Sequence, residues 1–386
     1  MKNIVILSTE QWGKMLLSKM HFAIHLADMG YKVYFVNTPA YINSLKLASV
    51  NKKDSSDNIT VIDIKKIKAS LFLRYKFFWL YEQLSKRYVK SIQKIIGEKI
   101  SEVWSFDPHM YVNLKQFDGA KTILMLYDFY KGKHVFKAAQ SADVIVSISK
   151  LILDHYKDAK PPKLLLQHGL SRYFADIAAS NMIQENLFIS KNDKIRIGYM
   201  GNLLIGGLNI TLAENIIKQN CDKEFHFWGP YSLTDNNVTS KDAIIDSQRT
   251  HFIEFLKSQQ NVFLHGIKEQ KALASELNEM DGFLFLYSAN SDMNKASNSH
   301  KILEYLSTGK AIISTFVSNY AETDLLVMSK PGRDEDLPEI FSNVVNNLPL
   351  YNSEKEQKKR IAFALDNTYL RQIGRIRNFL YQDELK

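Results

Sequence analysis

A single cysteine, Cys221, stands in 386 residues, so no internal disulfide can form and nothing requires an oxidising compartment. Long apolar runs are missing as well. No stretch approaches the roughly eighteen uncharged apolar residues of a membrane-spanning helix. The opening run Ile4 to Leu7, stopped by Ser8-Thr9-Glu10, is too short for the core of a signal peptide. The chain is therefore expected to reside in the cytoplasm without crossing a bilayer. Low-complexity tracts and solenoid-length repeats are absent. So are zinc-ligand spacings of Cys and His, a G-x-S-x-G elbow, a dinucleotide fingerprint and a Walker loop. These absences argue against a metal centre and against NAD or ATP as ligand.

What is present suits a globular protein: 45% hydrophobic and 24% charged residues, in a chain long enough for about two domains. The net charge of +9 is concentrated rather than spread. From Lys65 to Lys94, nine basic residues stand against Glu82 alone, and the rest of the chain is nearly neutral. They interleave with Leu71, Phe72, Tyr75, Phe77, Phe78, Trp79 and Tyr81. That is the composition of a basic aromatic helix on an anionic membrane surface, at the inner face of the cell membrane, and not of a nucleic-acid site. A helix with a solvated basic face and a buried aromatic side carries the same signature.

Strand-like runs alternate with helical patterns throughout, the mark of parallel α/β construction. A first series runs Ile4 to Leu7, Lys32 to Val36, Thr60 to Ile64, Val103 to Phe106, Thr122 to Leu126, Val144 to Ile148 and Lys163 to Leu166. The helix after the first strand carries Ala23, Leu26 and Ala27 on one face and stops at Gly30. A second series opens at Arg196-Ile197-Gly198-Tyr199-Met200-Gly201, and from Phe174 to Lys194 no clear period appears. The division is accordingly 1–180 for a first doubly wound domain, 190–366 for a second, and 367–386 for an amphipathic tail. Such sheets bind ligands beyond the carboxyl ends of their strands, and two of them facing across a cleft form the expected site.

The most informative stretch is Asn298-Ser299-His300-Lys301-Ile302-Leu303-Glu304-Tyr305-Leu306-Ser307-Thr308-Gly309-Lys310-Ala311-Ile312-Ile313-Ser314. Asn298 or Ser299 can cap a helix that buries Ile302, Leu303 and Leu306, with Gly309 ending it before a strand. Lys301 and Glu304 share its face near the N-terminus, where N–H groups and the helix dipole favour a phosphate. An ammonium for a diphosphate and a carboxylate for ribose hydroxyls are what a nucleotide sugar requires. On the residues alone, an i,i+3 surface ion pair fits equally well.

This stretch resembles the nucleotide-site helix and following strand of GT-B glycosyltransferases, where a phrase of the type K-x-x-E-Y-L-x-x-G-K-x-I-I is common. Gly198 to Asn202, Phe227 to Pro230, Val262 to Gly266 and Asp281 to Tyr287 follow in the order of that family's donor domain. The resemblance implies two Rossmann-like domains, with the C-terminal tail crossing back to the first. It implies a UDP or GDP type donor bound by Gly201, Asn202, Tyr287, Ser299, His300, Lys301 and Glu304, with no cofactor and no metal. Two departures weaken the retaining pattern: Ala296 stands where many retaining members have Glu, and Leu203 to Gly207 replaces an Arg and a Lys. The His300-Lys301 pair is similar instead to inverting enzymes akin to the bacterial glucuronosyltransferase of xanthan synthesis. Thr211-Leu212-Ala213-Glu214 has the form of a capping box that starts the next helix.

An inverting reaction needs a general base for the acceptor hydroxyl. By position after a buried strand, Asp128 resembles that base, with Asp107 in reserve; each also reads as a helix-capping or strand-end acid. His168, at the last strand of the first domain, and Trp12, Lys19 and His21, after the first strand, are the acceptor-side or cleft residues the resemblance suggests. Asp334-Glu335-Asp336 is literally a D-x-D, but at the opening of a late helix it reads as structural. The expected activity is sugar transfer to a lipid-linked or oligosaccharide acceptor in surface-polysaccharide synthesis. A nucleotide-sugar epimerase of the same fold and a non-catalytic membrane-surface protein stay open.

Overall fold

The computed structural model describes residues 2–13, 16–42, 45–184, 193–204, 207–232, 247–287 and 299–382. The chain divides into two compact units, Met1–Gln167 with Tyr369–Lys386, and His168–Thr368.

In the first unit the strands are β1 (Asn3–Leu7), β2 (Lys32–Val36), β3 (Ala48–Asn51), β4 (Ile59–Ile64), β5 (Ile100–Ser105), β6 (Lys121–Leu126), β7 (Val144–Ser147) and β8 (Lys163–Leu165). They form one sheet in the order β3-β4-β2-β1-β5-β6-β7-β8, parallel except for β3 against β4. Period-two alternation splits the apolar residues between its faces. Val5, Leu7, Val103, Leu124 and Ile145 build one core, and Ile4, Ile6, Trp104, Ile123 and Val146 the other. Because β1 lies between β2 and β5, the strand order reverses there, and a switch point opens beyond their carboxyl ends.

Helix α1 (Ser18–Asp28) covers one face through Met20, Phe22, Ala23, Leu26 and Ala27. Gly30, at φ 87°, ends it while its N–H donates to the Ala27 carbonyl. The basic aromatic segment is two helices, α2 (Ser70–Lys76) and α3 (Phe78–Ile96), broken at Phe77.

In the second unit β9 (Arg196–Met200), β10 (Glu224–Trp228), β11 (Val262–Gly266), β12 (Gly282–Phe285), β13 (Ala311–Ser314) and β14 (Val327–Met328) pair in parallel in the order β11-β10-β9-β12-β13-β14. Its switch point lies between β9 and β12. Three sequence expectations need correction here. Arg172–Ile183 is a helix, not an unpatterned linker, and it belongs to the second unit, so the first stops at Gln167 rather than at 180. It buries Phe174 and Ala178, and Asn181 donates to Asn278 at 2.7 Å, a pairing invisible to local periodicity. The helix after β9 starts at Ile210 rather than from a capping box at Thr211, with the Asn209 side chain accepting from the Leu212 N–H at 3.2 Å.

Candidate functional site

Two strand-end clusters gather charged and polar side chains, one in each unit. In the second unit β9 runs into Gly201, whose N–H donates to the Trp228 carbonyl at the end of β10 (2.8 Å). A Cβ added at Gly201 would lie 2.8 Å from Tyr199 Oη and 2.9 Å from Lys301 Nζ. The ammonium therefore sits against bare backbone. Gly229 is held at φ 130°, and a Cβ there would fall 2.0 Å from the Gly201 carbonyl oxygen, so both positions depend on the missing side chain.

Lys301 arrives on the helix His300–Ser307, which buries Ile302, Leu303, Tyr305 and Leu306. Ser299 occupies its N-cap position in extended conformation, but its side chain makes no capping bond; Asn298 and Ala296 lie outside the described residues. Lys301 Nζ donates to Tyr287 Oη at 3.1 Å and stands 5.6 Å from the centre of that ring. Tyr287 follows β12, where its N–H donates to Thr315 Oγ1 at 3.1 Å. Tyr305 Oη accepts from the Met200 N–H at 2.5 Å while its ring stacks on Phe283 at 4.3 Å, locking the helix to β9.

Glu304 lies three residues after Lys301. Burial pushes its carboxyl up to about 8, against the opposing pull of the Lys301 ammonium. Asn202 turns its Oδ1 inward to the Leu204 N–H at 2.9 Å, leaving a buried Nδ2 with no protein partner. His168, expected in the first domain, belongs to the second unit. It is buried there, its ring 5.9 Å from that of exposed His300. Gly201, Tyr287 and Lys301 are thus brought together, with Glu304 on the same helix.

In the first unit a cavity of about 380 Å³ opens at the carboxyl ends of the sheet. Thr9 and Glu10 reach it from β1, Thr38 from β2, Lys66 from β4, Asp107 and His109 from β5, and Tyr130 from β6. Ser70 and Arg74 of α2, Tyr88 of α3, Pro39 and Met110 complete the wall. Asp107 is 5% exposed, and its Oδ1 accepts the N–H groups of His109 (2.9 Å) and Met110 (2.9 Å). Burial raises its pKa despite those two bonds and the nearby Arg74.

His109 Nδ1 lies 2.8 Å from His134 Nε2, so one ring donates and the other accepts. Desolvation, aided by Arg74, lowers His109; desolvation, then His109 and Arg74, lowers His134 to about 4. Both rings are neutral at pH 7.

Of the acceptor-side residues expected from sequence, Lys19 reaches the cavity edge, donating to Thr9 Oγ1 at 3.0 Å and pairing with Glu10. Trp12 packs edge-on against Phe35 at 4.9 Å, its N–H held by Asn37 Oδ1 at 2.7 Å. His21 is elsewhere. It stacks on Tyr369 of the C-terminal helix at 4.8 Å, with burial lowering it to about 4. Asp128 is exposed beyond β6 and does not line the cavity; its carboxyl accepts from Tyr130 Oη at 3.1 Å. Among the described residues no group of three or more His, Cys, Asp or Glu could hold a metal ion. Arg333 instead ties down the D-x-D, meeting Glu335 at 2.7 Å and Asp336 at 2.8 Å.

No protein-family model and no curated protein matches the sequence. Solved structures do match, end to end. A glycosyltransferase from Rickettsia africae ESF-5 aligns with a TM-score of 0.68 at 13% identity, over 99% of this chain and 98% of that one. Trehalose-6-phosphate from E. coli bound with UDP-2-fluoro glucose gives 0.65 at 11% identity, over 99% of each chain. A UDP-forming trehalose-phosphate synthase from Burkholderia xenovorans gives 0.64 at 11% identity, over 96% of each. The fold is GT-B.

In this GT-B chain the Lys301 and Glu304 pair was read from local spacing, and the other second-unit residues from the resemblance. The missed ones, Tyr199, Gly229, Tyr305 and Thr315, take their places through contacts between segments: β9 beside β10 for Gly229, and the Tyr305 hydroxyl on the Met200 N–H. Gly229-Pro230 after an apolar strand was the available signal for one of them. His109, Glu10, Tyr130 and Arg74 were likewise missed as cavity residues, as was His134 behind His109.

Proposed function

We propose that this chain is a glycosyltransferase that moves a sugar from a nucleoside-diphosphate sugar, of UDP or GDP type, to an acceptor hydroxyl. The observation that carries this reading is the Lys301 ammonium seated between side-chain-free Gly201 and Tyr287 at the switch point of the second sheet. Lys301 and the helix N-terminus take the departing diphosphate's charge, so the leaving group needs no metal. Glu304 accepts the ribose hydroxyls. Asn202, Ser299 and His300 complete the donor side, and His168 stands beside His300. The matched structure bound with UDP-2-fluoro glucose and a Burkholderia synthase in complex with glucose-6-phosphate support a sugar donor and a sugar acceptor on this fold.

The first unit receives the acceptor. Asp128 is the base assigned from its place in the chain; the cavity wall favours Asp107 for the same task. A drop in kcat of about a hundredfold or more on replacement by Asn identifies the base, and Trp12 and Lys19 flank the acceptor. An epimerase would act without an acceptor, so incubation with the donor alone separates the two readings.

The acceptor is lipid-linked or a growing glycan of surface-polysaccharide synthesis, reached from the cytoplasmic face of the membrane. Leu71, Phe72, Tyr75, Phe77 and Trp79 are exposed among Lys68, Lys76, Lys86, Arg87 and Lys90, the pairing that suits an anionic bilayer. Calorimetry with UDP and GDP tests the donor site. Lys301→Ala and Glu304→Ala should each weaken binding at least tenfold, since each removes a charged hydrogen-bonding partner worth about 1.5–3 kcal/mol; unchanged affinity in both would remove the assignment.

A further inference from the structure

The first-unit cavity holds two cations, one of which, Arg74, also acts electrostatically on the buried Asp107 carboxyl. Lys66 and Arg74 line it, and neither forms an ion pair with a described acid, whereas Glu10 on the same wall is matched by Lys19. The Arg74 guanidinium lies 5.3 Å from the Tyr81 ring centre, next to that side chain's hydroxyl, and its Nε is buried without a hydrogen-bond partner. A desolvated guanidinium N–H left unmatched costs free energy unless a ligand meets it.

The geometry points to a phosphate ester as the occupant: we propose that Arg74 and Lys66 bind a phosphate carried by the acceptor while Asp107 and His109 face the acceptor's sugar. Two cations balance a dianion, and the planar fork of Arg matches phosphate oxygens bidentately. Ser70 stands one turn before Arg74 on the same face of α2 and adds a hydroxyl to the wall. The volume lies within the range of small-molecule sites. Leu71, Phe72 and Tyr75 on the same helix are exposed, so α2 is cavity wall on one side and apolar surface on the other. An ester whose second substituent is a lipid meets both sides at once.

That this phosphate belongs to an acceptor rests on the glycosyltransferase reading; the binding itself does not. The test is calorimetric titration of the full chain with glucose 1-phosphate and with uncharged glucose, repeated in Lys301→Ala to remove the donor-side cation. Glucose 1-phosphate should bind in both backgrounds and glucose at least tenfold more weakly. Arg74→Gln, checked for an unchanged melting temperature, should cost about tenfold or more, and Arg74→Gln with Lys66→Gln should abolish binding. Equal binding of glucose and its phosphate, or full affinity in the folded double variant, overturns the proposal. Vesicles carrying a polyprenyl phosphate separate the sources: if they displace glucose 1-phosphate the natural phosphate is lipid-borne, and if they do not it is a soluble sugar phosphate. Loss of UDP binding alone would sink the donor reading and leave this site standing.

Discussion

Folding pulls Glu304 towards its protonated form, and the proposed ribose contact would pull it the other way. With its carboxyl near 8 instead of the ordinary 4.5, the folded protein favours the protonated form. The stabilising contribution is therefore complete below about 4.5 and is lost as pH rises through about 8. Glu304→Gln keeps the shape and removes the titration. In the absence of ligand its melting temperature should gain on the parent from pH 5 to about pH 8 and level off above; parallel curves over that range would contradict the burial argument. Ribose hydroxyls donating to the carboxylate demand the ionised form, so UDP affinity should rise with pH through about 8 in the parent and stay flatter in Glu304→Gln.

Gly229 tests the same site from below. Its φ of 130° and the 2.0 Å approach of a would-be Cβ to the Gly201 oxygen forbid alanine without moving the loop under Lys301. Backbone strain alone should cost about 1–3 kcal/mol, read by urea unfolding, with UDP affinity falling in parallel. Lys301 and Glu304 were legible because i,i+3 spacing is local. The Gly201–Gly229 contact was not, because it depends on β9 and β10 lying in register, which no single segment encodes.

At the scale of elements, the basic aromatic segment divides its residues by helical period. In α3, Tyr81, Ser85, Tyr88, Val89, Ile92 and Ile96 fall on the buried stripe, and Tyr88 Oη donates to the Lys65 carbonyl at 2.8 Å. Trp79, Leu80, Lys86, Arg87 and Lys90 fall outside it. The reading of a buried aromatic side with a solvated basic face thus describes α3, and the exposed aromatics of α2 are what the membrane reading calls on. Flotation with anionic vesicles decides whether the outer face binds lipid. Exchange of Lys76, Lys86, Arg87 and Lys90 for Gln, or of Phe72 and Trp79 for Ser, should each reduce binding, the former only on anionic vesicles. Unchanged flotation in both retires the membrane reading.

The helix Arg172–Ile183 escaped notice for a related reason: Phe174, Ala178 and Asn181 are its only buried residues, too few for a periodic signal. Parallel strands, buried on both faces, were readable as near-continuous apolar runs; the short β3 at the sheet edge was not.

Over the whole molecule, the second unit is an insertion in the first. Its two ends meet where the Leu170 N–H donates to the Asn367 carbonyl at 2.8 Å and Leu170 bridges Thr368. The chain then contributes one last helix, Tyr369–Leu380, to the first unit. Tyr369, Ile373 and Ile376 enter the core shared by Ile4, Ile6 and Phe22. At its far end Glu102, fully buried on β5, receives Arg377 at 3.0 Å, Tyr381 Oη at 2.9 Å and Trp104 Nε1 at 3.0 Å.

The amphipathic pattern of this tail was plain in the sequence. Its anchor was not, since an acid in an apolar strand gives no hint of a partner 275 residues away. Arg377→Met strands the Glu102 carboxylate and should cost about 3–5 kcal/mol, whereas adding Glu102→Gln should recover part of that loss because no bare charge remains. With two units, unfolding is not expected to be a single transition. The loss should therefore fall on the first unit's transition in urea, followed by tryptophan fluorescence, while UDP binding by the second unit persists. A uniform shift of both transitions would mean that the last helix stabilises the two units together rather than the first alone.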